Sequence, residues 1–122
     1  MLELPRSLVL SEDAKKIRTR LIREAKAGQI VYYGDIEGIV GLHMSRPADR
    51  NKISELLGEI STYEVQRKHP MLTVIVVRQE DETPGEGFFK LAQRLGRYAG
   101  GDAQADRAFL DAEIKSVWDC WK

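Results

Sequence analysis

The sequence predicts an α+β fold, mostly helical with a small β-sheet. Three observations carry it. Apolar residues recur at helical spacing in two long stretches, 11–27 and 48–68. Two short runs, 29–33 and 71–78, are rich in β-branched and aromatic residues. Glycine or proline stands at most of the junctions between them.

The first helix is expected after Ser11, whose hydroxyl can cap it, with Glu12 and Asp13 in the first turn where the helix dipole favours negative charge. Ala14, Ile17, Leu21, Ile22 and Ala25 share its apolar face, and Gly28 sits where the helix should stop. Its outer face carries Lys15, Lys16, Arg18, Arg20, Arg23 and Lys26, which fits either a solvated surface or one facing phosphates. Residues 29–33 then read as a short strand. Residues 35–40 read as a short helix with Ile36, Ile39 and Val40 on one side.

Residues 41–47 form the next turn, and Pro47 suits the first turn of a following helix because its missing N–H is not needed there. Ile53, Leu56, Leu57, Ile60 and Tyr63 make that helix's stripe, with Gly58 as a point where it could bend. His69-Pro70 ends it. Residues 71–77 are almost continuously apolar and read as a buried strand. An acidic turn follows over 80–87, after which Phe88 either closes a hairpin or starts a helix with Phe89, Leu91, Ala92 and Leu95. Beyond Gly100-Gly101, a last helix from about Ala105 places Leu110, Ile114, Val117, Trp118 and Trp121 on one face.

At 122 residues the chain fits one domain, with a core over about 11–96 and a C-terminal helix over about 105–122. The lone Cys120 points to a reducing compartment. The opening residues lack the basic start and long apolar core of a signal peptide, so a cytoplasmic protein without a membrane span is expected. Formal net charge is zero. That removes the simplest argument for nucleic-acid binding but leaves a local basic face open.

The order helix, strand, short helix, turn, long helix, strand, glycine turn is that of a winged helix-turn-helix. In such a fold the second helix of the pair enters the major groove and its first residues meet base edges. Here those are Ser45, Arg46, Arg50 and Asn51, with Arg78 as the one cation in the loop after the second strand. Arginine can read guanine bidentately, and asparagine can read adenine. Against this, Glu80, Asp81, Glu82 and Glu86 would repel phosphates.

GQIVYYGDI, followed by Asp49-Arg50-Asn51-Lys52-Ile53, then Pro70-Met71 and Pro84-Gly85-Glu86-Gly87-Phe88, resembles the DNA-binding domain of O6-alkylguanine-DNA alkyltransferases and their alkyltransferase-like relatives. The resemblance covers about 28–88. It implies that Tyr33 lies beside the phosphate of a flipped nucleotide and that Arg50 fills the gap left in the base stack. Met71 stands where that family has its alkyl-accepting cysteine, and Leu72-Thr73 replaces the following His-Arg. Alkyl transfer needs a thiolate, so the resemblance implies a scaffold without that reaction.

His43 and His69 are separated by a whole helix and lack cysteine or carboxylate partners at metal-ligand spacing. No nucleophile and base can be paired, and neither a cofactor nor a metal is expected. Two kinds of partner fit: duplex DNA, through Tyr33, Ser45, Arg46, Arg50, Asn51 and Arg78, or another protein, through Phe89, Trp118 and Trp121. The first makes the chain a small non-enzymatic DNA-binding protein, the second an interaction module. The oligomeric state stays open.

Overall fold

The computed structural model describes residues 9–122, so the start of the chain, 1–8, lies outside the described residues. The protein is mostly helical with a small two-stranded sheet, as an α+β reading requires. Its elements are α1 (Glu12–Lys26), β1 (Val31–Tyr32), α2 (Tyr33–Val40), α3 (Pro47–Gln66), a 3-10 turn (Leu72–Ile75), β2 (Val76–Val77), α4 (Glu86–Arg94) and α5 (Ala103–Trp121). No helix among the described residues is long and apolar enough to cross a membrane.

Local chemistry accounts for most of the boundaries. Ser11 Oγ accepts from Ala14 N at 3.3 Å and opens α1. Ala14, Ile17, Leu21 and Ala25 are buried along one face, and Gly28 leaves the helix in a left-handed conformation (φ +67°). α2 stops at Gly41, again left-handed, whose N–H donates to the Glu37 carbonyl. α3 starts on Pro47 and buries Ile53, Leu56, Leu57 and Ile60. It runs unbroken through Gly58, which faces Leu91 of α4. A Cβ at that position would lie 4.0 Å from Leu91 Cδ2, an ordinary contact. Gly58→Ala is therefore expected to raise stability by up to about 1 kcal/mol, the usual helix-interior difference, measurable by denaturant unfolding.

Two sequence expectations are corrected. The first strand is confined to Val31–Tyr32, and Tyr33 is already the first residue of α2. The cause is Asp35, whose carboxylate accepts from Tyr32 N at 3.1 Å and draws the chain into a helix two residues early. Residues 71–77 are fully buried but form a strand only at Val76–Val77, after the 3-10 turn. Side chains take up the backbone donors that a longer strand would have used. Thr73 N donates to Ser61 Oγ at 3.3 Å, and Met71 N donates to Glu113 Oε2 at 3.0 Å. Of the two alternatives for Phe88, the structure takes the helical one: α4 begins at Glu86 and Phe88 lies within it.

β1 and β2 are parallel, with Val31 opposite Val76 and Tyr32 opposite Val77. The core lies where α1, α3 and α5 enclose the 3-10 turn. Two carboxylates are buried within it. Glu64 meets Arg18 Nε at 2.6 Å and His69 Nδ1 at 2.9 Å. Glu113 meets both Arg97 and the Met71 amide. Trp118 and Trp121 are half-buried against the same body. Trp118 Nε1 donates to the Gln29 carbonyl at 3.2 Å, while Trp121 packs edge-on to His69 and beside Arg18.

A smaller aromatic cluster joins α4 to α5. Tyr98 stacks on Phe109 with ring centroids 4.6 Å apart, and its hydroxyl donates to Asp106 Oδ1. That bond to a carboxylate favours the neutral phenol and pushes the Tyr98 pKa up to about 12. Because the folded value is raised, the stabilisation is complete below the ordinary tyrosine pKa and is lost as pH rises through about 12. An ultraviolet titration is expected to show one phenol ionising near pH 12, absent in Tyr98→Phe and shifted back towards normal in Asp106→Asn.

Candidate nucleic-acid interface

The parallel pairing decides which side chains meet. Tyr32 is opposite Val77, so the next residues, Tyr33 and Arg78, leave the sheet side by side at its carboxyl edge. In parallel sheets that edge is where ligand sites form, because the chains diverge there and leave a crevice. α3 supplies Arg50 to the same crevice, an open cavity of about 530 Å³ that also touches Asp35, Glu37 and Glu80.

The turn from α2 to α3 is held by its own acids, which places the start of α3. Met44 N donates to Glu37 Oε2, and His43 N donates to Asp49 Oδ2 at 3.0 Å. Ser45 and Arg46 are exposed in this turn, and Arg50, Asn51 and Lys52 are exposed on the first turns of α3. Glu37 and Asp49 are thus engaged with backbone, and Arg46, Arg50 and Lys52 make no ion pair among the described residues.

Tyr33, Arg50 and Arg78 therefore share one cavity, whereas Ser45, Arg46 and Asn51 lie outside its lining on the adjoining exposed surface. Burial raises the Tyr33 phenol above its ordinary value, against the opposing effects of the Gly85 backbone and the Arg78 charge. Arg78 is not free. Its Nη2 lies 2.7 Å from Asp81 Oδ2 and 3.2 Å from Thr83 Oγ1.

A second, smaller cavity of about 210 Å³ is also lined by Tyr33. Ser54, Thr73, Gly85, Phe88 and Arg94 line it along with Tyr33. Sequence reasoning missed Ser54, Thr73 and Arg94. They come from three separate elements, and only the Pro84-Gly85-Glu86-Gly87 turn gave a local hint that a ligand could approach here.

The basic face of α1 is partly spent on structure. Arg18 is held by Glu64 and lies against the Tyr63 and Trp121 rings, and Arg20 pairs with Glu24 at 3.0 Å. Lys16, Arg23 and Lys26 remain exposed. Met71, at the position the resemblance assigns to a reactive cysteine, is wholly buried. The exposed Cys120 is far along α5, and burial together with the Glu64 charge pushes its thiol pKa up, away from a reactive thiolate.

The fold and site define a small, mostly helical α+β protein with a basic surface at the start of its longest helix. No protein family, curated protein or solved structure matches the chain.

Proposed function

We propose that this protein binds duplex DNA without catalysing a reaction, using α2 and α3 as a helix-turn-helix with the 78–85 turn in the place of a wing. The observation that carries the reading is the convergence of Tyr33, Arg50 and Arg78 on one cavity, beside the exposed Arg46, Asn51 and Lys52. Cations on the first turns of a helix suit both phosphate contact and base reading, since the helix N-terminus itself favours anions.

The resemblance to alkyltransferase-like proteins adds a mode of binding: Tyr33 beside a backbone phosphate, Arg50 entering the stack, and an everted base seated beyond Tyr33. In support of this mode, Tyr33 also lines the 210 Å³ cavity, whose small volume suits one ring system rather than a larger ligand. Trp118 and Trp121 are turned towards their own domain, and nothing in their packing favours a partner-binding role over a structural one.

A fluorescence titration with duplex DNA at two salt concentrations tests the proposal. Binding should weaken steeply with salt, and the double variant Arg46→Ala, Arg50→Ala should lose most of it. Unchanged affinity in that variant would remove the recognition-helix reading.

A further inference from the structure

We infer that Asp81 is a built-in counter-anion for Arg78, one that a DNA phosphate must displace before Arg78 can bind it. The inference rests on the DNA reading above and adds to it a device that damps indiscriminate binding.

Asp81 is held in place from both of its oxygens. Oδ2 faces the Arg78 guanidinium at 2.7 Å, while Oδ1 accepts from Thr83 N at 3.1 Å and from Thr83 Oγ1 at 2.9 Å. The Thr83 hydrogen bonds keep the carboxyl below the usual aspartate range, so it is ionised wherever DNA binding would be measured. The backbone of the turn is pinned as well. Arg78 N donates to the Thr83 carbonyl at 2.9 Å, and Glu82 N donates to the Arg78 carbonyl at 2.8 Å.

This arrangement forces Glu82 to φ +54°, a left-handed conformation uncommon for a residue with a side chain. Such a residue persists only where its surroundings over-determine it. Here the Tyr32 hydroxyl, one residue before Tyr33, donates to Glu82 Oε2 at 2.7 Å and completes the restraint. Arg46, Arg50 and Lys52 have no comparable partner among the described residues, so the masking is specific to the cation at the sheet edge.

Displacement has a defined cost. Arg78 exchanges one charge-assisted bond for another, so its net contribution is small. Asp81, once released, attracts a cation from solution and offsets one of those that DNA gives up. Arg78 therefore adds little affinity for an arbitrary duplex, and discrimination is left to Arg46, Arg50 and Asn51.

The test is a double-mutant cycle on the full chain, with a labelled mixed-sequence duplex as probe. Asp81→Asn keeps an oxygen for Thr83 but removes the charge. With Arg78 present, it should tighten binding about tenfold and steepen the salt slope by about one. In an Arg78→Ala background the same change adds the same unit of charge but should gain no more than about twofold, and Glu86→Gln alone, at an exposed acid outside the cavity lining, should also gain no more than about twofold. Should Asp81→Asn loosen the turn, Asp81→Ser taken through the same cycle should show the same dependence on Arg78. Equal gains with and without Arg78 would reduce the effect to bulk charge and overturn the inference while leaving the DNA reading intact. No binding by the parent or any variant would overturn the DNA reading, and the inference with it.

Discussion

Glu113→Ala is expected to destabilise the protein by about 3 kcal/mol, a large share of the total for a domain of this size. Glu113 is 3% exposed, yet its carboxylate receives the Met71 amide at 3.0 Å and two nitrogens of Arg97. Removing it leaves the Met71 N–H buried without an acceptor, a loss of about 1–3 kcal/mol by itself, and strips the partner from Arg97. A cavity beside Leu110 and Val117 adds to the cost. Arg97→Ala should do less harm, because Arg97 can be replaced by water at its exposed side whereas Met71 N cannot. Urea unfolding of the two variants checks both the magnitude and the order. A Glu113→Ala loss smaller than that of Arg97→Ala would show that the amide contact does not matter.

The second large effect falls on binding. Arg46→Ala with Arg50→Ala is expected to weaken duplex affinity at least 30-fold, the order of magnitude for losing two guanidinium contacts of about 1–2 kcal/mol each. Both side chains are exposed and unpaired among the described residues, so their removal should leave the unfolding midpoint nearly unchanged. Taking Arg46, Arg50 and Lys52 as each neutralising about one phosphate, the parent protein should lose roughly 40-fold in affinity between 50 and 200 mM salt, and the double variant much less. A double variant with the parent's salt slope would place the interface elsewhere, with the exposed Lys16, Arg23 and Lys26 of α1 the next surface to examine.

What the sequence revealed, and what it hid, divides by range along the chain. The Ser11 cap, the α1 and α3 stripes, Pro47 at a helix start and the left-handed stops at Gly28 and Gly41 are local chemistry, and all were readable. The 71–77 run was not, because a segment buried on every side has no alternation to separate a strand from a 3-10 turn. Its form is decided by Ser61 and Glu113, which are distant in sequence. Glu113 itself was hidden for the same reason. On α5 the sequence favours Ile114 as the core position, and only the position of Arg97 and Met71 explains why a carboxylate lies deeper.

The candidate site was half legible. Arg46, Arg50 and Asn51 stand out at the start of a helix, and Tyr33 in a tyrosine-glycine turn. Their relation to Arg78 was not, because it depends on a parallel pairing that no local pattern announces. Ser54, Thr73 and Arg94 were invisible for that reason too, since each belongs to a different element.

That pairing has a further consequence for the order in which the candidate site is assembled. The whole α2–α3 unit lies within the stretch of chain that β1 and β2 close into a loop. Closing a long loop is slower than winding a helix, so α1, α2 and α3 can form before Val31 meets Val76. Until that closure, Tyr33 and Arg78 belong to separate parts of a wandering chain. A nascent or partly denatured molecule could thus hold α1, α2 and α3 and still lack the cavity that Tyr33, Arg50 and Arg78 line together. That cavity is completed in a late step, when two residues of backbone on each side find their register.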